Sequence, residues 1–173
     1  MRVGYGYDSH RFDPDRALIL GGVSIPDHPG LSGHSDGDAV VHAVIDALLG
    51  AAGAGDIGTH FPSTDERWRD VDSMDLLRRT RALLEGRSYQ VVNVDVTVVC
   101  ESPRIGPHAD AMRGRLGEVL GIGPDFVSVK GKTNEGMGWI GTREGLLALA
   151  AVLVDTVHEP SGLSGGGGGG LPL

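Results

Sequence analysis

Three short stretches of the chain place metal- and phosphate-binding side chains at close spacing. The first is Asp8-Ser9-His10. On an extended segment, residues two apart project to the same side, so a carboxylate oxygen and an imidazole nitrogen emerge together. Such a pair is a start for a zinc or manganese site, and equally what a surface Asp and His at a strand end look like. The second stretch is His34-Ser35-Asp36-Gly37-Asp38, followed by His42. On a helix His42 lies one turn after Asp38 and one before Asp46, so the three share a face. An imidazole flanked this way suits a metal ligand oriented by a carboxylate, or a half-buried histidine packed beside Val41 and Ile45. Together, Asp8, His10 and His42 reach the three-ligand count of a catalytic zinc site, which keeps one position open for water or a substrate oxygen.

The third stretch is Lys130-Gly131-Lys132-Thr133-Asn134-Glu135-Gly136. Its lysines, hydroxyl and flexible backbone suit a diphosphate, and Glu135 could hold a magnesium ion bridging phosphate oxygens. The phosphate-loop pattern GxxxxGK[ST] is absent, and the same residues would also serve as a solvated basic turn. Glu101-Ser102-Pro103-Arg104-Ile105-Gly106-Pro107 exposes backbone donors and acceptors able to read a base edge, or is a plain connector. Covalent hydrolysis has no support: there is no Gly-x-Ser-x-Gly elbow, and Cys100 follows Val98-Val99 without an evident base.

The elements that must position these residues follow from hydrophobic spacing. Strands are expected at 2–7, 90–100 and 126–132, with a hairpin or bulged pair, 18–20 and 23–25, around Gly21-Gly22. Helices are expected at 39–50, 72–84, 108–120 and 144–157, the last one apolar nearly all round. Residues 56–65, 101–107 and 131–141 read as loops rich in Gly and Pro. The fold class is α+β, an α/β sandwich with a mixed sheet of about four strands and helices packed on one face. Residues 1–158 form one domain, and 159–173 a glycine-rich disordered tail.

Composition narrows the function classes. The 173 residues are 40% hydrophobic and 22% charged, enough for one ordinary core. No run reaches the roughly 18 apolar residues of a membrane helix, and the N-terminus carries no secretory pattern. One cysteine rules out an internal disulfide and suits the cytoplasm. With 15 Lys+Arg against 23 Asp+Glu, the net charge of −8 argues against a nucleic-acid partner.

In order along residues 1–158, the motifs resemble the 2-C-methyl-D-erythritol 2,4-cyclodiphosphate synthases. The stretches carrying the resemblance are Asp8-Ser9-His10, the block from His34 through Asp38 with His42, Asp56-Ile57-Gly58, Phe61-Pro62-Ser63-Thr64-Asp65, Asn93-Val94-Asp95-Val96-Thr97, residues 103–108, and Lys132-Thr133-Asn134-Glu135-Gly136. The resemblance implies conversion of 4-diphosphocytidyl-2-C-methyl-D-erythritol 2-phosphate to the 2,4-cyclodiphosphate, with release of CMP, in the non-mevalonate isoprenoid route. It implies zinc on Asp8, His10 and His42, and magnesium or manganese on Glu135 at the substrate diphosphate. His34 and Thr133 match the residues credited with aligning and polarising the phosphates. Ser35, Asp56, Gly58 and the segment Phe61, Pro62, Ser63, Thr64 and Asp65 match the erythritol-phosphate pocket, and Asp8, Ser9, His10, His34 and Ile57 are also expected to contact the substrate. Cys100, Glu101, Ser102, Pro103, Arg104, Ile105 and Gly106 match the cytidine side, with Lys132, Thr133, Asn134 and Glu135; Trp139 and Arg143 complete the expected substrate contacts. It further implies a homotrimer with active sites between subunits.

Three departures stand out: Ser63 where the family usually has aspartate, an arginine displaced by one position to Arg143, and Gly131-Lys132 in place of smaller or hydroxyl-bearing residues. A zinc-dependent phosphodiesterase or pyrophosphatase, and a non-catalytic protein binding metal or isoprenoid diphosphate, remain as alternatives.

Overall fold

A long first strand carries the ligand candidates at its midpoint. In the computed structural model, which describes residues 1–157, β1 (Arg2–Leu20) serves two partners. Its first half pairs antiparallel with β5 (Gly145–Thr156), from Arg2↔Val154 to Arg11↔Gly145. Its second half pairs with β2 (Val23–Leu31), closing the expected hairpin through Gly21 and Gly22 at φ of 57° and 71°. Two consecutive positive φ values suit a tight turn between twisted strands, and glycine adopts them without steric cost. The tail expected at 159–173 lies outside the described residues.

The remaining elements are α1 (Ala39–Ala52), a one-turn α2 (Ile57–His60), α3 (Ser73–Glu85), β3 (Tyr89–Val99), α4 (Ala109–Leu120), β4 (Val127–Lys132) and a one-turn α5 (Gly138–Gly141). Most bounds fall within two residues of the expected ones, while α2 and α5 are single turns inside segments read as loop. The start of α3 is capped by Asp72, whose side chain accepts from Met74 N at 2.8 Å. The sheet has five strands in the order β2-β1-β5-β3-β4, with β3 and β4 parallel and the other pairs antiparallel. The fold class is α+β as expected, but the sheet holds one strand more than the four foreseen.

The extra strand is the segment read as a final helix. Gly145–Thr156 is β5, at the centre of the sheet between β1 and β3. A central strand with apolar residues on both faces shows an unbroken apolar run, which periodicity cannot separate from a buried helix. Two ladders of cross-strand bonds, one on each edge, override the helix preference of its Leu and Ala residues.

One face of the sheet carries the core. Buried Val94, Val96 and Val98 of β3 and Ala148, Ala150, Val152 and Val154 of β5 meet α1, whose apolar side chains are almost all buried. Gly4 and Gly6 of β1 are where α1 comes closest. A Cβ at Gly4 would sit 1.8 Å from Ala47 O, and one at Gly6 1.9 Å from Ala43 O. The opposite face leaves Val3, Tyr5 and Tyr7 exposed beside the half-covered Leu147, Leu149 and Leu153. Val3↔Leu153, Tyr5↔Ala151 and Tyr7↔Leu149 are paired in register, so this apolar surface is continuous. Among the described residues no helix is long and apolar enough to cross a membrane.

Candidate active site

Alternation along β1 puts Asp8 and His10 on the same face as Gly4 and Gly6, the face covered by α1. The missing Cβ atoms let α1 lie against the strand, and this close approach delivers His42. Asp8 Oδ2 lies 2.8 Å from His10 Nε2 and 3.0 Å from His42 Nδ1. One potential ligand atom from each residue falls within 4.8 Å of the other two. A carboxylate oxygen and two imidazole nitrogens form the donor set zinc and similar divalent ions take, so the residues fit a metal. Burial opposes charge on Asp8, yet its contacts with His10 and His42 outweigh it and hold the carboxyl well below its usual range. At His10 burial again opposes charge, and Asp8 and the Ser32 backbone overcome it, raising the imidazole.

α1 itself is anchored by Asp38. Its buried carboxylate caps the helix by accepting from Val41 N at 3.1 Å and also takes Gly21 N at 2.8 Å and Gly22 N at 2.7 Å. One side chain therefore ties the hairpin tip to the helix that carries His42. Arg16 closes the neighbouring loop, donating to Gly33 O at 2.6 Å and to Ser35 O, the carbonyls on either side of His34.

The triad opens into a cleft of about 270 Å³. Of the expected residues, His34, Ser35, Ile57, Gly58, Phe61 and Ser63 line it, together with Asp46, Trp68 and Leu76. Asp46 accepts from Ile57 N at 2.7 Å, and burial followed by the Asp56 and Asp8 charges raises its carboxyl. Its place one turn from His42 was a legible signal. Trp68 was not foreseen: it sits on a short 3-10 turn, Glu66–Trp68, with Phe61 edge-on at 5.1 Å. Leu76, one turn into α3 from Ser73, carried no signal beyond an apolar helix position. Asp56, Pro62, Thr64 and Asp65 do not line this cleft. Asp56 caps α2 through Thr59 N at 2.8 Å, and Asp65 pairs with Arg67 at 2.6 Å.

A second cavity, about 440 Å³, is lined by residues 100–107 without Ser102, and by Gly131, Lys132 and Thr133. Glu101 shapes its rim by accepting from Asn134 N at 2.9 Å and Gly136 N at 3.1 Å. Ser102 lies behind the loop, with its Oγ 3.1 Å from His28 Nε2. Glu135 is exposed at a φ of 52° and accepts from Thr133 Oγ1 at 2.8 Å. Ser9 and Trp139 line a smaller pocket with His10, Arg11 and Glu144. Arg143 is exposed at a φ of 61° and lines none of these cavities.

The two main cavities share no lining residue, so one chain does not bring His34 and Thr133 together. They open at the same end of the sheet. Asp8, Ala148, Val98 and Gly131 form one row across β1, β5, β3 and β4. Three strand spacings separate its ends by about 14 Å.

The profile of the YgbB family matches residues 1–155. This chain belongs to the YgbB family. It is 56% identical over 154 residues to a protein of Symbiobacterium thermophilum named 2-C-methyl-D-erythritol 2,4-cyclodiphosphate synthase, covering 89% of this chain and 98% of that one. A solved 2C-methyl-D-erythritol-2,4-cyclodiphosphate synthase in a CDP-bound form matches with a TM-score of 0.82 at 40% identity, over 89% of this chain and 100% of that chain. The bifunctional IspDF of Campylobacter jejuni matches with a TM-score of 0.87 at 36% identity; the match covers 90% of this chain but 42% of that longer one. Across the YgbB match the residues that converge here, Asp8, His10 and His42, all fall within the aligned span.

Proposed function

We propose that this chain is a phosphorus–oxygen lyase that converts 4-diphosphocytidyl-2-C-methyl-D-erythritol 2-phosphate to 2-C-methyl-D-erythritol 2,4-cyclodiphosphate and CMP, in the isoprenoid precursor route. The observation that carries the reading is the convergence of Asp8, His10 and His42 at a cleft, in a chain 56% identical to a named synthase. In this reaction the substrate's own 2-phosphate oxygen bonds to the β-phosphorus, the bond from that phosphorus to the bridging oxygen breaks, and CMP leaves with the electron pair. No protein nucleophile is needed.

Asp8, His10 and His42 would hold zinc. Such an ion supplies positive charge that offsets repulsion between two anionic phosphates. His34 offers a buried Nε2 with no partner among the described residues, free to bond a phosphate oxygen and align it for attack. The apolar walls Ile57, Phe61, Trp68 and Leu76 exclude water from the erythritol side, and Ser63 supplies a hydroxyl where the family usually has a carboxylate. In the second cavity, Arg104 and Lys132 supply cations for the diphosphate, and the 100–107 loop supplies backbone groups for cytosine. Thr133 would polarise the phosphates, and Glu135 would hold magnesium or manganese beside them.

The two cavities would be joined by a neighbouring subunit in a homotrimer. What supports this reading is the continuous apolar surface of Val3, Tyr5, Tyr7, Leu147, Leu149 and Leu153, the kind of surface a partner copy would cover. Residues 1–158 would be the catalytic unit, and the single buried cysteine and acidic charge suit a cytoplasmic enzyme.

Phosphorus NMR on purified chain with zinc, magnesium and the diphosphocytidyl substrate tests the proposal. Equal appearance of CMP and two coupled signals of a cyclic diphosphate is the expected result. CMP with a linear bisphosphate would instead mean that water reaches the phosphorus, and no turnover by zinc-loaded protein would leave a binding protein.

A further inference from the structure

Behind His42, on the side away from Asp8, a buried serine and a carboxylate form a short chain of hydrogen bonds. Ser73 Oγ lies 2.5 Å from Asp36 Oδ1 and 2.8 Å from His42 Nε2, and Ser73 is fully buried. A hydroxyl has one proton to give, and an ionised carboxylate can only accept. At 2.5 Å the Ser73 proton points to Asp36, as charge-assisted O–H···O⁻ bonds of this length do. Toward His42 the serine oxygen is then left as an acceptor, ready for a hydrogen on Nε2.

The consequence falls on the opposite nitrogen. A neutral imidazole protonated at Nε2 has its lone pair at Nδ1. Nδ1 faces Asp8 Oδ2 at 3.0 Å. Two lone pairs at that distance repel unless a cation lies beside them: without a metal the Asp8 carboxylate draws the hydrogen to Nδ1, whereas a metal there would take the Nδ1 lone pair and leave the hydrogen on Nε2, facing Ser73.

We infer that Asp36 and Ser73 are positioning residues that fix His42 in the tautomer presenting Nδ1 to the metal. The inference rests on the reading of Asp8, His10 and His42 as ligands. Neither Asp36 nor Ser73 lines the cleft, so both act through the imidazole. Asp36 is itself held in place: Oδ2 accepts from Ser73 N at 3.0 Å, and Oδ1 from Asp38 N at 3.1 Å. Ser35 Oγ, 3.0 Å from the same Nε2 and 3.5 Å from Ser73 Oγ, accepts from Gly37 N at 3.3 Å and has its own proton to give to either. It can therefore give or take at Nε2 and cannot set the tautomer alone. Ser73, whose proton is committed, decides it.

The test uses the full chain as wild type, Ser73→Ala, Asp36→Asn and Ser73→Thr. Two quantities are read: nitrogen-15 shifts of the His42 ring in zinc-loaded protein, and zinc affinity by competition with a chromophoric chelator. The expected wild type has hydrogen on Nε2 and binds about one zinc per chain. Ser73→Ala takes away the acceptor of the Nε2 hydrogen, shifts the Nε2 resonance and weakens zinc roughly 10- to 100-fold, the usual effect of losing a partner of a ligating histidine. Ser73→Thr, which keeps the hydroxyl, restores both.

Hydrogen on Nδ1 in wild type, or a Ser73→Ala protein with unchanged ring shifts and zinc affinity within about twofold of wild type, overturns the inference. A wild type that binds no zinc would instead sink the metal reading, and the inference with it. Should Ser73→Ala fail to fold, the wild-type shifts and Asp36→Asn carry the same decision.

Discussion

The two cavities at one end of the sheet are built by opposite means. In the β1/α1 cleft, the side chains Asp8, His10 and His42 do the work, and each stands on a strand or a long helix. Strand and helix are in backbone contact through Gly4 and Gly6, and Asp38 locks the helix start. In the second cavity the walls are mostly loop, residues 100–107 against the end of β4, and the key bonds run from Glu101 to backbone N–H groups. The difference matches the tasks. Ligands must hold their positions within a fraction of an ångström, whereas a nucleotide can be read by backbone groups that adapt as it binds.

The sharpest way to break the rigid side is Gly6→Val. The new Cβ would stand 1.9 Å from Ala43 O, a helix carbonyl that cannot yield without moving α1 and His42 with it. The expected cost is about 3 kcal/mol or more, with most bound metal lost. Urea unfolding and metal analysis check both. Gly50, in the same helix, supplies the contrast, since a methyl added there would meet nothing within 4 Å. Gly50→Ala should gain about 0.5–1 kcal/mol and leave metal content unchanged.

Asp38→Asn tests the lock with a smaller expected effect. An amide brings its own N–H against the donors Gly21, Gly22 and Val41, at a cost of about 1–3 kcal/mol. The pH dependence sharpens it. Burial, with the Asp36 charge adding to it, pushes the Asp38 carboxyl up to about 6, so it binds its proton more tightly folded than unfolded. Its contribution to stability is complete below about pH 4 and is lost as the pH rises toward 6. The stability difference between wild type and Asp38→Asn should therefore shrink across that interval, measured by denaturant midpoints. A difference that grows would mean that the carboxylate is favoured in the fold.

The same contrast governs what the sequence made legible. Asp8-x-His10 and His42 could be read because strand and helix periods fix which residues share a face, and the structure joins them at 2.8 and 3.0 Å. The Asp38 cap and the Gly21-Gly22 turn were readable for the same local reason. What failed was a matter of apolar residues on two sides. Gly145–Thr156 has no polar stripe to betray its period, because α1 covers one face and Leu147, Leu149 and Leu153 belong to the continuous apolar surface on the other. Trp68 and Leu76 reach the cleft only through the path of the chain between α2 and α3, which no local pattern encodes. The Ser73–Asp36 bond spans 37 residues and was likewise invisible.

On the adaptable side, Gly131→Ala should act on binding more than on folding. A Cβ there would come 2.8 Å from Ile105 Cβ, a side chain on a loop rather than a helix carbonyl. The loop can yield by a few tenths of an ångström, reshaping the cavity wall at a stability cost of about 1 kcal/mol. Steady-state kinetics should show KM for the cytidine substrate raised roughly three- to tenfold, with kcat nearly unchanged, the pattern of lost uniform binding. An equal fall in kcat would place Gly131 at the reacting phosphates instead.

Cys100 offers the mildest probe, because it reports on the loop without altering the chain. Its thiol is buried and donates to Pro103 O at 3.3 Å, and burial with the neighbouring Glu101 charge pushes it up to about 11. The reactive species is the thiolate, so at pH 8 alkylation should run about 100-fold slower than for a free cysteine. Timed iodoacetamide labelling with mass detection gives the rate. CMP in the cavity should slow it further, since the loop must open for the reagent to enter. Labelling at the free-cysteine rate, unaffected by CMP, would mean that the loop opens readily on its own. The second cavity would then be formed by its nucleotide, and the contrast with the pre-built metal cleft would be wider than the hydrogen bonds of Glu101 imply.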